Sequence, residues 1–75
     1  MIKIGQIYKT PVGSRYIVTY MGIYNIYLLY DDGYSMEYSI SSMKNNYDDK
    51  LICEYPTWQE AVNSPEFRGD RINEY

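Results

Sequence analysis

Ten carboxylates, one thiol, eleven phenols and no imidazole are the groups in this chain with chemistry to offer. Asp31-Asp32 with Glu37 nearby, and Asp48-Asp49, carry the oxygen ligands that calcium and magnesium prefer, but neither spacing follows a calcium loop. Turn stabilisation and solubility account for both pairs. Cys53 has no histidine anywhere to serve as its base, so it reads as a small strand hydrophobe rather than a nucleophile. A single cysteine without histidine also lacks the usual donor set for zinc and excludes an intrachain disulfide. Ser14, Ser35 and Ser39 have no partners for nucleophilic work, and nothing in the spacing of the acids selects a pair for two-carboxylate hydrolysis. The expectation is a protein with no catalytic site, no metal and no cofactor.

The phenols carry more information. Tyrosine outnumbers the single Phe and single Trp together by more than five to one in a chain of 75 residues. A core this small cannot hold eleven rings, so some must lie outside, where a tyrosine gives rigid contact area at little entropic cost. Tyr16, Tyr20, Tyr24, Tyr27 and Tyr30 fall on neighbouring predicted strands. The rings among them that are not buried would form an aromatic surface for a proline-rich peptide or for unstacked bases.

The elements that position these groups are read from period-two alternation. Residues 26–30 and 34–40 flank Asp31-Asp32-Gly33, and an Asp-Gly pair between such runs supplies the positive φ of a tight hairpin. In the second run Tyr34, Met36, Tyr38 and Ile40 should face inward, with Ser35, Glu37 and Ser39 in water. In the first, Ile26, Leu28 and Tyr30 share one side and Tyr27 and Leu29 the other, the pattern of a strand apolar on both faces. Residues 15–21 form a further strand, rich in β-branched and aromatic types and bounded by glycines. Parity puts Tyr16, Val18 and Tyr20 on one face and Ile17, Thr19 and Met21 on the other, with Ile17 and Met21 inward. Gly5 to Thr10, ended by Pro11, reads as an edge or opening strand.

Residues 41–49 have turn composition, with Met43 placed to anchor a short helical turn. Lys50 to Tyr55 is a last strand. Thr57 and Glu60 then stand at capping-box spacing, starting a two-turn helix at Trp58 that Ser64-Pro65 ends, and Pro65 can open one more turn through Phe67. So short a helix must dock through Trp58, Val62 and Phe67. The tail from Arg68 is expected to fray. The predicted architecture is mainly β: one domain over residues 1–75, a small five-stranded antiparallel SH3-like barrel over 3–55 with a short C-terminal helix over 57–63.

Charge is uneven. Lys3, Lys9, Arg15 and Lys44 against Asp31, Asp32 and Glu37 leave residues 1–44 at +1, whereas residues 45–75 stand at −4. No run of Lys and Arg marks a phosphate-binding stretch, so a protein partner with a basic surface fits better than nucleic acid. No segment approaches a membrane span or a signal peptide, which points to the cytoplasm and away from a membrane partner.

The blocks GQIYKTPVGSRYIV (5–18), LLYDDGYSMEYSI (28–40) and EYPTWQEAVNSPEF (54–67) resemble a recurrent group of small proteins encoded by phages and prophages of Gram-positive bacteria. The resemblance implies origin in a mobile element and life in the cytoplasm of an infected host. It carries no catalytic motif, and the class includes inhibitors of host defence, among them anti-CRISPR proteins. The expected partner-binding residues are Tyr20, Tyr24, Tyr27, Asp31, Asp32, Tyr47, Asp48 and Asp49. Two other expectations stand beside protein binding. One is a module for single-stranded nucleic acid with Lys3, Lys9, Arg15 and Lys44 on phosphate; the other is a homodimer paired through the Gly5–Thr10 edge.

Overall fold

Each alternating run becomes a strand in the computed structural model, which describes residues 2–43 and 48–68. The strands are β1 (Gln6–Lys9), β2 (Arg15–Met21), β3 (Asn25–Tyr30), β4 (Ser35–Ser39) and β5 (Lys50–Glu54). The helices are α1 (Ile40–Met43), α2 (Trp58–Val62) and α3 (Pro65–Arg68). All five strands form one antiparallel sheet in the order β4-β3-β2-β1-β5. The sheet is open rather than closed into the expected barrel, because β4 and β5 end it on opposite sides without pairing to each other. The side a barrel would close over is filled by rings and by Met43 from α1.

β1 is not an edge. Its outer neighbour is β5, which returns from the far end of the chain so that Ile7 lies opposite Ile17 on one side and Cys53 on the other. This removes the strand through which a homodimer was expected to pair.

Both faces of the sheet are covered. One carries Tyr16, Val18, Ile26, Leu28 and Met43, with Ile2, Tyr8, Met21, Tyr30, Tyr38 and Ile40 packed against them. The other carries Ile7 and Ile17 beneath Ala61 and Phe67, joined by Leu29, Cys53, Tyr55, Trp58 and Val62. Each fully buried aliphatic side chain contributes about 1.5–3 kcal/mol. The buried run Tyr16-Ile17-Val18 therefore anchors both layers at once.

Parity fails in β2 at one residue. Val18 pairs with Leu28 but Tyr20 pairs with Tyr27, leaving Thr19 as an extra residue in a bulge. Beyond it the side chains exchange faces: Met21 packs with the Tyr16–Val18 cluster, and Tyr20 turns to the helix-bearing face. The expected inward pair Ile17 and Met21 thus splits between the two layers. Tyr34, also expected inward, is 59% exposed because it sits in the turn before β4, and Ile40 belongs to α1.

Four residues, Asp31 to Tyr34, lie between β3 and β4. Gly33, at φ +90°, donates its N–H to Tyr30 O at 3.0 Å, Tyr30 N–H reaches Tyr34 O at 2.7 Å, and Asp32 Oδ1 accepts from Tyr34 N–H at 2.9 Å. At α2, Thr57 is the N-cap, its Oγ1 accepting from Glu60 N–H at 3.2 Å. Ser64 links the two helical turns, donating Oγ to Ala61 O at 2.7 Å and accepting from Phe67 N–H at 3.3 Å. Gly5, at φ +94°, closes the last strand against the first. Its carbonyl accepts from Tyr55 N–H at 3.0 Å, and a Cβ there would lie 2.2 Å from Tyr55 O. Among the described residues no helix is long and apolar enough to cross a membrane. The tail beyond Arg68 lies outside the described residues.

Candidate functional site

The tyrosines divide by face. On the face away from α2 and α3 they are structural. Tyr8 stacks on Tyr16 with centroids 5.5 Å apart, and Tyr16 leans on Tyr30 at 5.4 Å. Their hydroxyls are satisfied: Tyr16 donates to Asp49 Oδ2 at 2.7 Å, Tyr8 donates to Gln6 Oε1 at 2.9 Å, and Tyr30 has a hydrogen bond with Tyr38. Burial first, and then the Asp49 carboxylate, hold the Tyr16 phenol far above its ordinary value. Burial and then Tyr38 do the same to Tyr30. Phenols held neutral in this way cannot serve as bases near neutral pH.

On the face under α2 and α3, Tyr55 packs against the helices, but two other rings lie open. Tyr20 and Tyr27 meet edge to face, with centroids 5.5 Å apart and planes at 70°, and both are open to solvent, at 56% and 40%. Thr19, Leu29, Ser35 and Trp58 complete a shallow groove of about 580 Å³ around them. The bulge that turns Tyr20 outward is fixed by Thr19 Oγ1, which donates to Tyr27 O at 3.2 Å. In the β2–β3 connection beyond this pair, Ile23 and Tyr24 are exposed at 85% and 79%. The capped first turn of α2 holds Trp58 as the wall of the groove.

The acidic residues expected at the site lie apart from that groove. Asp31 and Asp32 are in the β3–β4 turn and line a second hollow of about 260 Å³ with Tyr30, Val62, Phe67 and Arg68, which meets the groove only at Leu29. Asp49 is tied to Tyr16, while Asp48 borders a hollow with Lys9, Thr10, Pro11 and Lys50. Tyr47 lies outside the described residues. Of the eight expected residues, Tyr20 and Tyr27 come together in one groove with Tyr24 at the turn beyond it, and the aspartates occupy three other places.

Lys50 joins two of the cations expected on phosphate, Lys9 and Arg15. Lys9 is directly opposite Arg15 on β2 and Lys50 on β5, so three cations stand in a row across three strands about 4.8 Å apart. Arg15 is steadied by Glu66, whose carbonyl accepts from its Nη1 at 2.9 Å. No local run of Lys and Arg announces the row, because its members come from positions 9, 15 and 50 and meet only through the sheet. Lys44, expected beside Lys9 and Arg15, is outside the described residues.

Cys53 is half-buried against the helices, and burial followed by the Glu66 charge pushes its thiol upward. Tyr55 donates to the Glu66 carboxylate, which raises the phenol and lowers the acid. Among the described residues, no three of His, Cys, Asp and Glu are grouped to hold a metal ion. Compared with protein-family models, curated proteins and solved structures, the chain matches none.

Proposed function

We propose that the chain is a non-enzymatic accessory protein of phage origin that acts in the host cytoplasm by binding another protein, host or phage, with a basic surface. In its most specific form this reading makes the partner a nucleic-acid-directed defence enzyme, inhibited as anti-CRISPR proteins inhibit theirs. The observation that carries the binding reading is the groove in which Tyr20 and Tyr27 lie exposed beside half-buried Trp58, two rings that the core does not use. The net charge of −3 favours a basic partner. The finer fold reading, a half-open SH3-like barrel, is supported by the order of the sheet, in which the last strand lies beside the first.

Affinity capture from host lysate, with the wild type and with a Tyr20→Ala/Tyr27→Ala variant, tests this. The wild type is expected to retain a basic protein at low salt and the variant to release it. Retention of nothing by the wild type overturns the reading.

The cationic row supports a second reading, a module for single-stranded nucleic acid, with Lys9, Arg15 and Lys50 on phosphate. Titration with a labelled oligothymidylate at two salt concentrations decides it. Binding that weakens as salt rises is expected, and no binding at low salt removes it.

A further inference from the structure

We infer that β4 is a docking edge, to which an extended segment of a partner protein adds as a sixth strand, carrying Lys or Arg opposite Glu37 and a large apolar side chain opposite Ser35. The inference rests on the protein-binding reading above and names its mode.

An open sheet has two ends, and they differ. β5 is interrupted by a bulge, with Ile7 opposite Cys53 but Tyr8 opposite Leu51, and it begins and ends on the charged residues Lys50 and Glu54. Bulges and terminal charges are what edge strands use to resist pairing. β4 keeps an unbroken register with β3 over five pairs, from Asn25–Ser39 to Leu29–Ser35. Among the described residues no strand pairs with its outer side.

The phase of the ladder says which groups wait there. Tyr30 N–H donates to Tyr34 O at 2.7 Å before β4, and Ile40 N–H donates to Tyr24 O at 2.8 Å after it. Antiparallel pairs alternate, so Met36 and Tyr38 turn their backbone groups to β3, and Ser35 and Glu37 turn theirs away from the sheet. These two residues also face the helix-bearing side. Ser35 lines the groove and lies opposite Leu29; Glu37 lies opposite Tyr27. The small Ser35 leaves the groove open along this edge, so a side chain across from it reaches Leu29, Tyr27 and Trp58. A cation across from Glu37 meets a carboxylate that Asn25 Nδ2 already holds in place. If the added strand runs antiparallel, its cation precedes its apolar residue by two positions.

The test is selection of random nonapeptides displayed against the full chain, followed by affinity measurement on one enriched peptide. Enrichment of Lys/Arg-x-aromatic or Lys/Arg-x-aliphatic patterns is expected. Glu37→Pro removes an outward N–H without touching the β3 ladder, and should weaken that peptide about tenfold or more, the loss of a charge-assisted contact and an edge hydrogen bond together. In the wild type, hydrogen exchange should slow at the Ser35 and Glu37 amides when the peptide binds and stay unchanged at Met36 and Tyr38. That readout serves even where the proline variant fails to fold. No enrichment, unchanged exchange at Ser35 and Glu37, or undiminished binding by a folded Glu37→Pro overturns the inference. So does a concentration-dependent dimer that Glu37→Pro abolishes, which would give the edge to a second copy of the chain. Binding lost in Tyr20→Ala/Tyr27→Ala but kept in Glu37→Pro removes the edge and leaves the aromatic reading standing.

Discussion

Tyr16 and Tyr20 lie four residues apart in the same strand and do opposite work. Tyr16 is buried, its ring between Tyr8 and Tyr30 and its hydroxyl given to Asp49. Tyr20 is exposed, its ring against Tyr27 in an open groove. Between them stands one extra residue, Thr19, which reverses the facing of everything after it. Residue type therefore does not decide whether a tyrosine fills the core or forms a surface; strand phase does. One face of this sheet spends its phenols on stability, and on the other Tyr55 packs against the helices while Tyr20 and Tyr27 stay open to solvent.

Substitutions on either side of Thr19 test that contrast. Tyr16→Ala should have the largest effect, about 3–5 kcal/mol for loss of a buried aromatic ring. That is comparable to the whole net stability of about 3–5 kcal/mol for a domain of this size, so far-ultraviolet circular dichroism should show an unfolded chain at room temperature. Alkali should act next. The fold holds Tyr16 and Tyr30 above their ordinary 10.0, so the neutral phenols favour the native state. Their contribution is complete below the unfolded value and is lost as pH rises past it towards the folded values. Urea midpoints should fall above about pH 10, where the unfolded chain's phenols ionise; a midpoint unchanged at pH 11 would contradict the account.

Tyr16→Phe keeps the ring and removes only the hydroxyl. It should cost about 1–2 kcal/mol by urea unfolding and make the alkaline fall shallower. Thr57→Ala removes the cap of α2 at a cost of about 1 kcal/mol. Because Trp58 is the next residue, its fluorescence should shift towards that of a more solvated indole. Tyr24→Ala, on the surface side of the contrast, should stay within about 0.5 kcal/mol of the wild type in the same urea experiment. A larger loss there would mean that the exposed rings also hold the fold.

Local chemistry was legible and long-range geometry was not. β2 has the boundaries its composition predicts, the Asp32-Gly33 turn is present, and Thr57 caps α2 as the spacing with Glu60 foretold. The bulge at Thr19 was hidden, because alternation in the sequence continues through it and only pairing with β3 reveals the extra residue. The interior position of β1 was equally hidden, since its neighbour β5 lies more than forty residues away and short-range pattern carries no record of that pairing. Ala61, fully buried on the sheet-facing side of α2, gave no signal because a methyl group is too small to mark a helix face on its own. At the candidate site, tyrosine content anticipated an exposed aromatic surface. It could not foresee that Tyr20 and Tyr27 would share it with Trp58 while the aspartates went elsewhere.

The place of β1 between β2 and β5 governs when this molecule can exist at all. A ribosome that has released residues 6–39 has released four strands able to form a meander, yet Ile7 and Ile17 still lack the Ala61 and Phe67 that cover them. Contacts of such wide separation are costly to close and come late. Synthesis must therefore reach Arg68 before the sheet gains its second layer, and a message cut short within α2 should yield only a chain for proteolysis.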